Sequence, residues 1–196
     1  MKSVPNILSS IRIVLAPLFV LMYLQPELIW ASLSIAVFAV AAVTDYFDGL
    51  IARRYGAMSD TGVFLDPLAD KFLTFAGFIC LPFISSSQFP WWVIGLIFFR
   101  DIFVTLMRIF AERKGIKMQT SSTAKLKTAV QMGFLYVALL AGVFVKTDIM
   151  VGEFSRNLMD SGALGIMLYG VMIITVYTGI EYVVMNKKIF SRSAAK

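Results

Sequence analysis

The chain has 196 residues, of which 59% are hydrophobic and 15% charged, and its mean hydropathy is +0.80. A water-soluble domain carries about a quarter charged residues, so this composition excludes an ordinary soluble fold. It points to one all-α integral membrane domain over residues 1–196, long enough for about six helices of about 20 apolar residues each.

Other absences narrow the chemistry. Histidine is missing, which excludes histidine acid–base catalysis and histidine–zinc sites. A single cysteine, Cys80, stands in an apolar run and allows no intrachain disulfide. The formal charge is +6. Its basic residues are scattered along helix ends, which fits membrane topology and anionic lipid rather than nucleic acid.

In chain order, residues 1–12 read as a short N-terminal interfacial segment, with Pro5 and Asn6 suited to a helix start. A first span over Ile7–Leu24 follows, with no convincing cleavage site of a secretory leader. The second span covers Leu28–Ile51 and is rich in small residues that permit close helix packing. The third runs from Asp66 to Ile84. Trp91 and Trp92 open the fourth, Trp91–Ala111, as an interfacial aromatic belt. The fifth covers Thr123–Val145. Residues 146–161 read as a polar loop, and Gly162–Met185 as the sixth span before a basic tail. Of the 18 lysines and arginines, all but Lys146 and Arg156 then fall on the cytoplasmic side when the N-terminus is inside. A multi-pass inner-membrane protein with a cytoplasmic site is the expectation.

That site is the stretch Asp45–Asp70, DYFDGLIARRYGAMSDTGVFLDPLAD. Asp45 and Asp48 are three apart, Asp66 and Asp70 four apart, so each pair shares one face of a helix. Carboxylates at apolar helix ends are costly, roughly 2.5–3.5 kcal/mol each at mid-bilayer and less toward the interface. A bound divalent cation and a phosphorylated ligand offset that cost. An all-oxygen set suits Mg²⁺ or Mn²⁺ bridging a diphosphate. Without histidine, the same carboxylates are the leading candidates for a general base. Divalent-cation transport is the competing reading, but Arg53 beside the carboxylates serves a diphosphate and not a cation path.

The stretch reads D-x2-D-G-x2-A-R-x8-G-x3-D-x3-D, and it resembles the signature of the CDP-alcohol phosphotransferase family. The resemblance implies displacement of CMP from a CDP-linked lipid or alcohol by the hydroxyl of a second alcohol. It implies that Asp45, Asp48, Asp66 and Asp70 ligate two divalent ions, Mg²⁺ or Mn²⁺, and that Asp70 is also the general base. Asp48, Gly49, Ala52, Arg53 and Gly62 would hold the CDP-lipid, with Arg53 on the diphosphate. A homodimer is implied as well, with small-residue faces such as Gly162 and Gly165 available for helix packing.

The acceptor depends on other charges. A phosphorylated acceptor needs several cations near the diphosphate, and Arg108, Lys125 and Lys127 could supply them from cytoplasmic helix ends. Arg100 and Asp101 lie deep in the fourth span, as a pocket wall or an intramembrane pair. The layout PNILSSIR, LDPLADK, FRD…LMR and AKLKTAVQ is similar to the family branch that joins CDP-diacylglycerol to glycerol 3-phosphate. Phosphatidylglycerol, inositol phosphate and serine are the alternative acceptors within the family.

Overall fold

The computed structural model describes the backbone of residues 4–55, 62–113, 118 and 121–193. It describes the side chains of residues 11–43, 71–112, 118, 121 and 123–186. All regular structure among the described residues is helical: α1 (Val4–Tyr23), α2 (Leu28–Tyr55), α3 (Gly62–Ile84), α4 (Trp91–Arg113), α5 (Ser122–Phe144), α6 (Met150–Asp160) and α7 (Ala163–Ser193).

The long helices run up and down. The α1–α2, α3–α4 and α5–α6–α7 connections share one end, called here the far end. The acidic stretch, split between the end of α2 and the start of α3, belongs to the other. Two cross-links tie the far end together. The Lys146 Nζ donates to the Gln25 carbonyl at 2.9 Å, and the Gln88 Nε2 to the Met159 carbonyl at 2.6 Å.

α1 packs on α2 and α3, while α5 touches α2, α3, α6 and α7 and so forms the middle of the bundle. The core between them is aromatic and aliphatic: Phe19, Phe38, Phe78, Leu81, Ile97, Leu135 and Leu139 are fully buried. Phe19 and Phe38 lie with ring centroids 4.9 Å apart, and Phe38 meets Tyr136 edge-on at 5.3 Å. Gly77 lets α3 approach α5: a Cβ there would stand 2.7 Å from a Leu135 methyl.

The outside of the bundle is apolar too. Val14, Leu21, Ile29, Phe99, Phe110, Ile166, Ile173 and Ile180 are exposed, whereas Arg12, Asp101, Lys127, Gln131 and Thr178 are buried. Water would penalise that arrangement, and lipid favours it. Thr123–Phe144 and Ala163–Asn186 are long and apolar enough to cross a membrane, and Ile11–Tyr23, Leu28–Val43 and Lys71–Ile84 are shorter apolar segments.

Two sequence expectations change. The N-terminal stretch and the first span form one helix, because α1 runs without a break from Val4, and it buries Arg12. Residues 146–161 are not a loop, because eleven of them form α6. Gly162 then takes φ +71°, the left-handed turn that ends α6 and lets α7 begin.

Candidate active site

The motif positions are distributed over two helices in contact. α2 carries Asp45, Asp48, Gly49, Ala52 and Arg53, and α3 carries Gly62, Asp66 and Asp70. The helical backbone makes the i,i+3 and i,i+4 spacings one-face pairs. The side chains of these residues lie outside the described ones. Their donor set is oxygen alone, which fits Mg²⁺ or Mn²⁺ and does not fit a thiophilic metal. Elsewhere among the described residues, no group of three potential ligands stands together.

A cation, Lys71, directly follows Asp70 in the sequence. Lys71 lines a cavity of about 380 Å³ together with Arg100, Asp101, Val104, Thr105, Arg108, Ala124, Lys127, Thr128 and Tyr182. Helices α3, α4, α5 and α7 each supply part of the wall. Four of the lining residues are cationic, and Asp101 is the carboxylate among them.

The floor of the cavity is a hydrogen-bonded network centred on Asp101. Its Oδ1 accepts from the Arg100 guanidinium at 3.0 Å and from the Lys127 ammonium at 2.5 Å. Its Oδ2 accepts from the Gln131 amide at 3.4 Å. Arg100 also donates to the Thr178 hydroxyl of α7 at 2.9 Å. Asp101 and Lys127 are both only 2% exposed. A buried carboxylate survives because three donors surround it, and each cation survives because the carboxylate faces it.

A second polar contact holds the rim. The Ser121 hydroxyl donates to the Glu181 carboxylate at 3.0 Å, and the Thr123 hydroxyl donates to the same oxygen. Ser121 also accepts from the Ala124 N–H at 3.3 Å and so caps α5. The start of α5, which carries Lys127, is thereby pinned to α7.

Of the three cations expected around an acceptor, Arg108 and Lys127 line this cavity. Lys125 does not: its side chain is exposed. Two residues on a helix are about 200° apart, so Lys125 and Lys127 cannot share a face. The sequence reading missed Lys71, Thr105, Thr128 and Tyr182. For Lys71 the signal was present, since it directly follows the last aspartate of the motif.

A net-cationic cavity beside a motif whose carboxylates could hold divalent cations can seat an anionic phosphate. Comparison with known proteins gives the family. Residues 2–177 match the family model described as CDP-alcohol phosphatidyltransferase, and the chain belongs to that family. Among its relatives, it is 36% identical over 185 residues to a probable phosphatidylglycerophosphate synthase of Mycobacterium tuberculosis (strain ATCC 25618 / H37Rv), covering 91% of this chain and 78% of the relative. It is 35% identical over 136 residues to a CDP-diacylglycerol–glycerol-3-phosphate 3-phosphatidyltransferase of Escherichia coli (strain K12), covering 66% of this chain and 72% of the relative. A protein of the same name from Cereibacter sphaeroides is 36% identical over 141 residues, 70% of this chain and 63% of the relative.

Proposed function

We propose that this chain transfers the phosphatidyl group of CDP-diacylglycerol to glycerol 3-phosphate, giving phosphatidylglycerophosphate and CMP. The names of its relatives support this reaction. The observation that carries the choice of acceptor is the cavity beside Asp70, where Lys71, Arg108 and Lys127 gather. A small phosphorylated alcohol fits a cationic space of about 380 Å³ better than a neutral one does.

The residues then take these roles. Asp45, Asp48, Asp66 and Asp70 would hold two divalent cations, Mg²⁺ or Mn²⁺, whose chemistry is to draw charge from the diphosphate and the departing CMP. Arg53 neutralises the diphosphate, and Gly49, Ala52 and Gly62 leave room for the cytidine beside Asp48. Arg108, Lys71 and Lys127 hold the acceptor phosphate, which fixes its hydroxyl toward the donor. The hydroxyl oxygen forms a bond to the phosphorus that carries diacylglycerol. The bond from that phosphorus to CMP breaks, and CMP leaves with the bridging oxygen. Asp70 takes the hydroxyl proton. The donor's acyl chains have an apolar neighbour at hand: a groove of about 520 Å³ between α1, α3 and α4, with Phe72 and Phe75 in its wall.

In this reading α1–α5 and α7 are six membrane spans, and the motif end faces the cytoplasm. The apolar exterior and the distribution of lysine and arginine support that placement. The enzyme works as a homodimer. The test is CMP release from CDP-diacylglycerol with glycerol 3-phosphate, phosphatidylglycerol, inositol phosphate and serine as separate acceptors. Turnover with glycerol 3-phosphate is expected. Turnover with phosphatidylglycerol and none with glycerol 3-phosphate would make the chain a cardiolipin-forming member of the family instead.

A further inference from the structure

α6 divides its surface three ways. Gly152, Ser155 and Met159 are buried against the bundle. Glu153, Asn157 and Asp160 form an exposed polar face, with Arg156 beside them. Met150, Val151 and Phe154 form a third, apolar face, and it is open: Met150 is 84% exposed and Phe154 66%. At 100° per residue these three lie within about one quarter to one third of the helix circumference. The polar face adjoins it on the Met150 side and spreads over about 60°. A helix covered by water has no reason to sort its exposed residues in this way, whereas a helix lying along a bilayer surface does.

Its surroundings name the occupant. α6 is held at the far end of the bundle by three bonds. The Arg156 guanidinium donates to the Val145 and Thr147 carbonyls, each at 3.0 Å, and Gln88 donates to Met159. The first two bonds fix α6 to the chain just past the end of α5. At this same end stand exposed Trp30, Trp91 and Trp92, the residues that favour a membrane–water boundary. Met150, Val151 and Phe154 are therefore exposed at the end of the bundle that also exposes these tryptophans.

We propose that α6 is an interfacial helix. Met150, Val151 and Phe154 insert into the acyl boundary of the leaflet opposite the acidic motif, while Glu153, Asn157 and Asp160 stay in water. Such helices sit about 5–10 Å into the headgroup–acyl boundary. The inference does not depend on which acceptor the enzyme uses.

Site-directed spin labelling of the full chain in phosphatidylethanolamine–phosphatidylglycerol bilayers tests it. Single cysteines replace Met150, Val151, Glu153, Phe154 or Asn157 in a Cys80→Ala background, and each nitroxide is scored for collision with oxygen and with a water-soluble nickel chelate. The oxygen-to-nickel ratio should be several-fold higher at positions 150, 151 and 154 than at 153 and 157. Nickel-dominated collision at all five positions would place α6 in water and overturn the proposal. Shielding of 150 and 154 from both reagents would overturn it too, because a second copy of the chain would then cover the face. Should Cys80→Ala fail to fold, the same labels placed with Cys80 retained give the answer, since Cys80 is fully buried.

Discussion

The Lys127 ammonium of α5 meets the Asp101 carboxylate of α4 at 2.5 Å, with both side chains almost fully withdrawn from solvent. Removing the carboxylate strands the Lys127 ammonium as an uncompensated buried charge, whereas Asp101 without Lys127 keeps Arg100. Asp101→Asn should cost about 3–5 kcal/mol, read as a lowered midpoint of thermal unfolding in detergent. The double variant Asp101→Asn/Lys127→Met should recover much of that loss and still bind acceptor weakly, because the Lys127 charge is gone. A double variant no more stable than Asp101→Asn alone would show that the pair is not the source of the cost.

Arg108 and Lys125 separate a cavity cation from a surface one. Arg108→Ala should raise the KM for glycerol 3-phosphate roughly tenfold, about 1.4 kcal/mol, with little change in the KM for CDP-diacylglycerol. Lys125→Ala should leave both within about twofold, as expected for an exposed lysine outside the cavity. Equal effects from the two variants would contradict the cavity as the acceptor site.

Lys71 is expected to behave like Arg108 despite its place beside the motif. Lys71→Gln should raise the acceptor KM, whereas Asp70→Asn should abolish turnover at every acceptor concentration. Initial-rate kinetics over a grid of both substrates separates a binding loss from a chemical one. Near-normal turnover in Asp70→Asn would remove it as the base.

The hard-oxygen motif predicts full loss of CMP release on treatment with EDTA, and recovery on adding Mg²⁺ or Mn²⁺ in excess. Full activity in the chelated protein would require another source of charge stabilisation for the departing CMP.

Gly77 carries a stability prediction far from any chemistry. Gly77→Ala drives a methyl against Leu135 at the α3–α5 contact, where the nearest atom would be 2.7 Å away. Overpacking of this kind costs about 1–3 kcal/mol. Thermal unfolding should report it, and in a Leu135→Ala background the added cost of Gly77→Ala should shrink.

Most of the helical plan was legible in the sequence. The starts at Leu28 and Trp91 are sharp because a proline-marked turn precedes each apolar run. α6 was not legible as hydropathy, since in MVGEFSRNLMD the apolar and polar residues cancel along the segment. It is visible only as a period, with Met150, Phe154 and Leu158 four apart. The motif could be read whole because its eight residues fall within 26 positions. The cavity could not, since Lys71, Asp101, Lys127 and Tyr182 come from four helices that only packing brings together. The bond from Thr123 to Glu181 spans 58 residues, and no local pattern announces it. The division between Lys125 and Lys127 was available from helix geometry alone.

α3 carries Asp66 and Asp70 in its opening turns and Lys71 immediately afterwards. On the proposed function, one helix thus carries both the second aspartate pair and one wall of the acceptor cavity, while α2, α4, α5 and α7 supply the rest. If bilayer thickness tilts α3, the two substrate positions on that helix should swing together, and turnover should respond to bilayer thickness less than the tilt of α3 does.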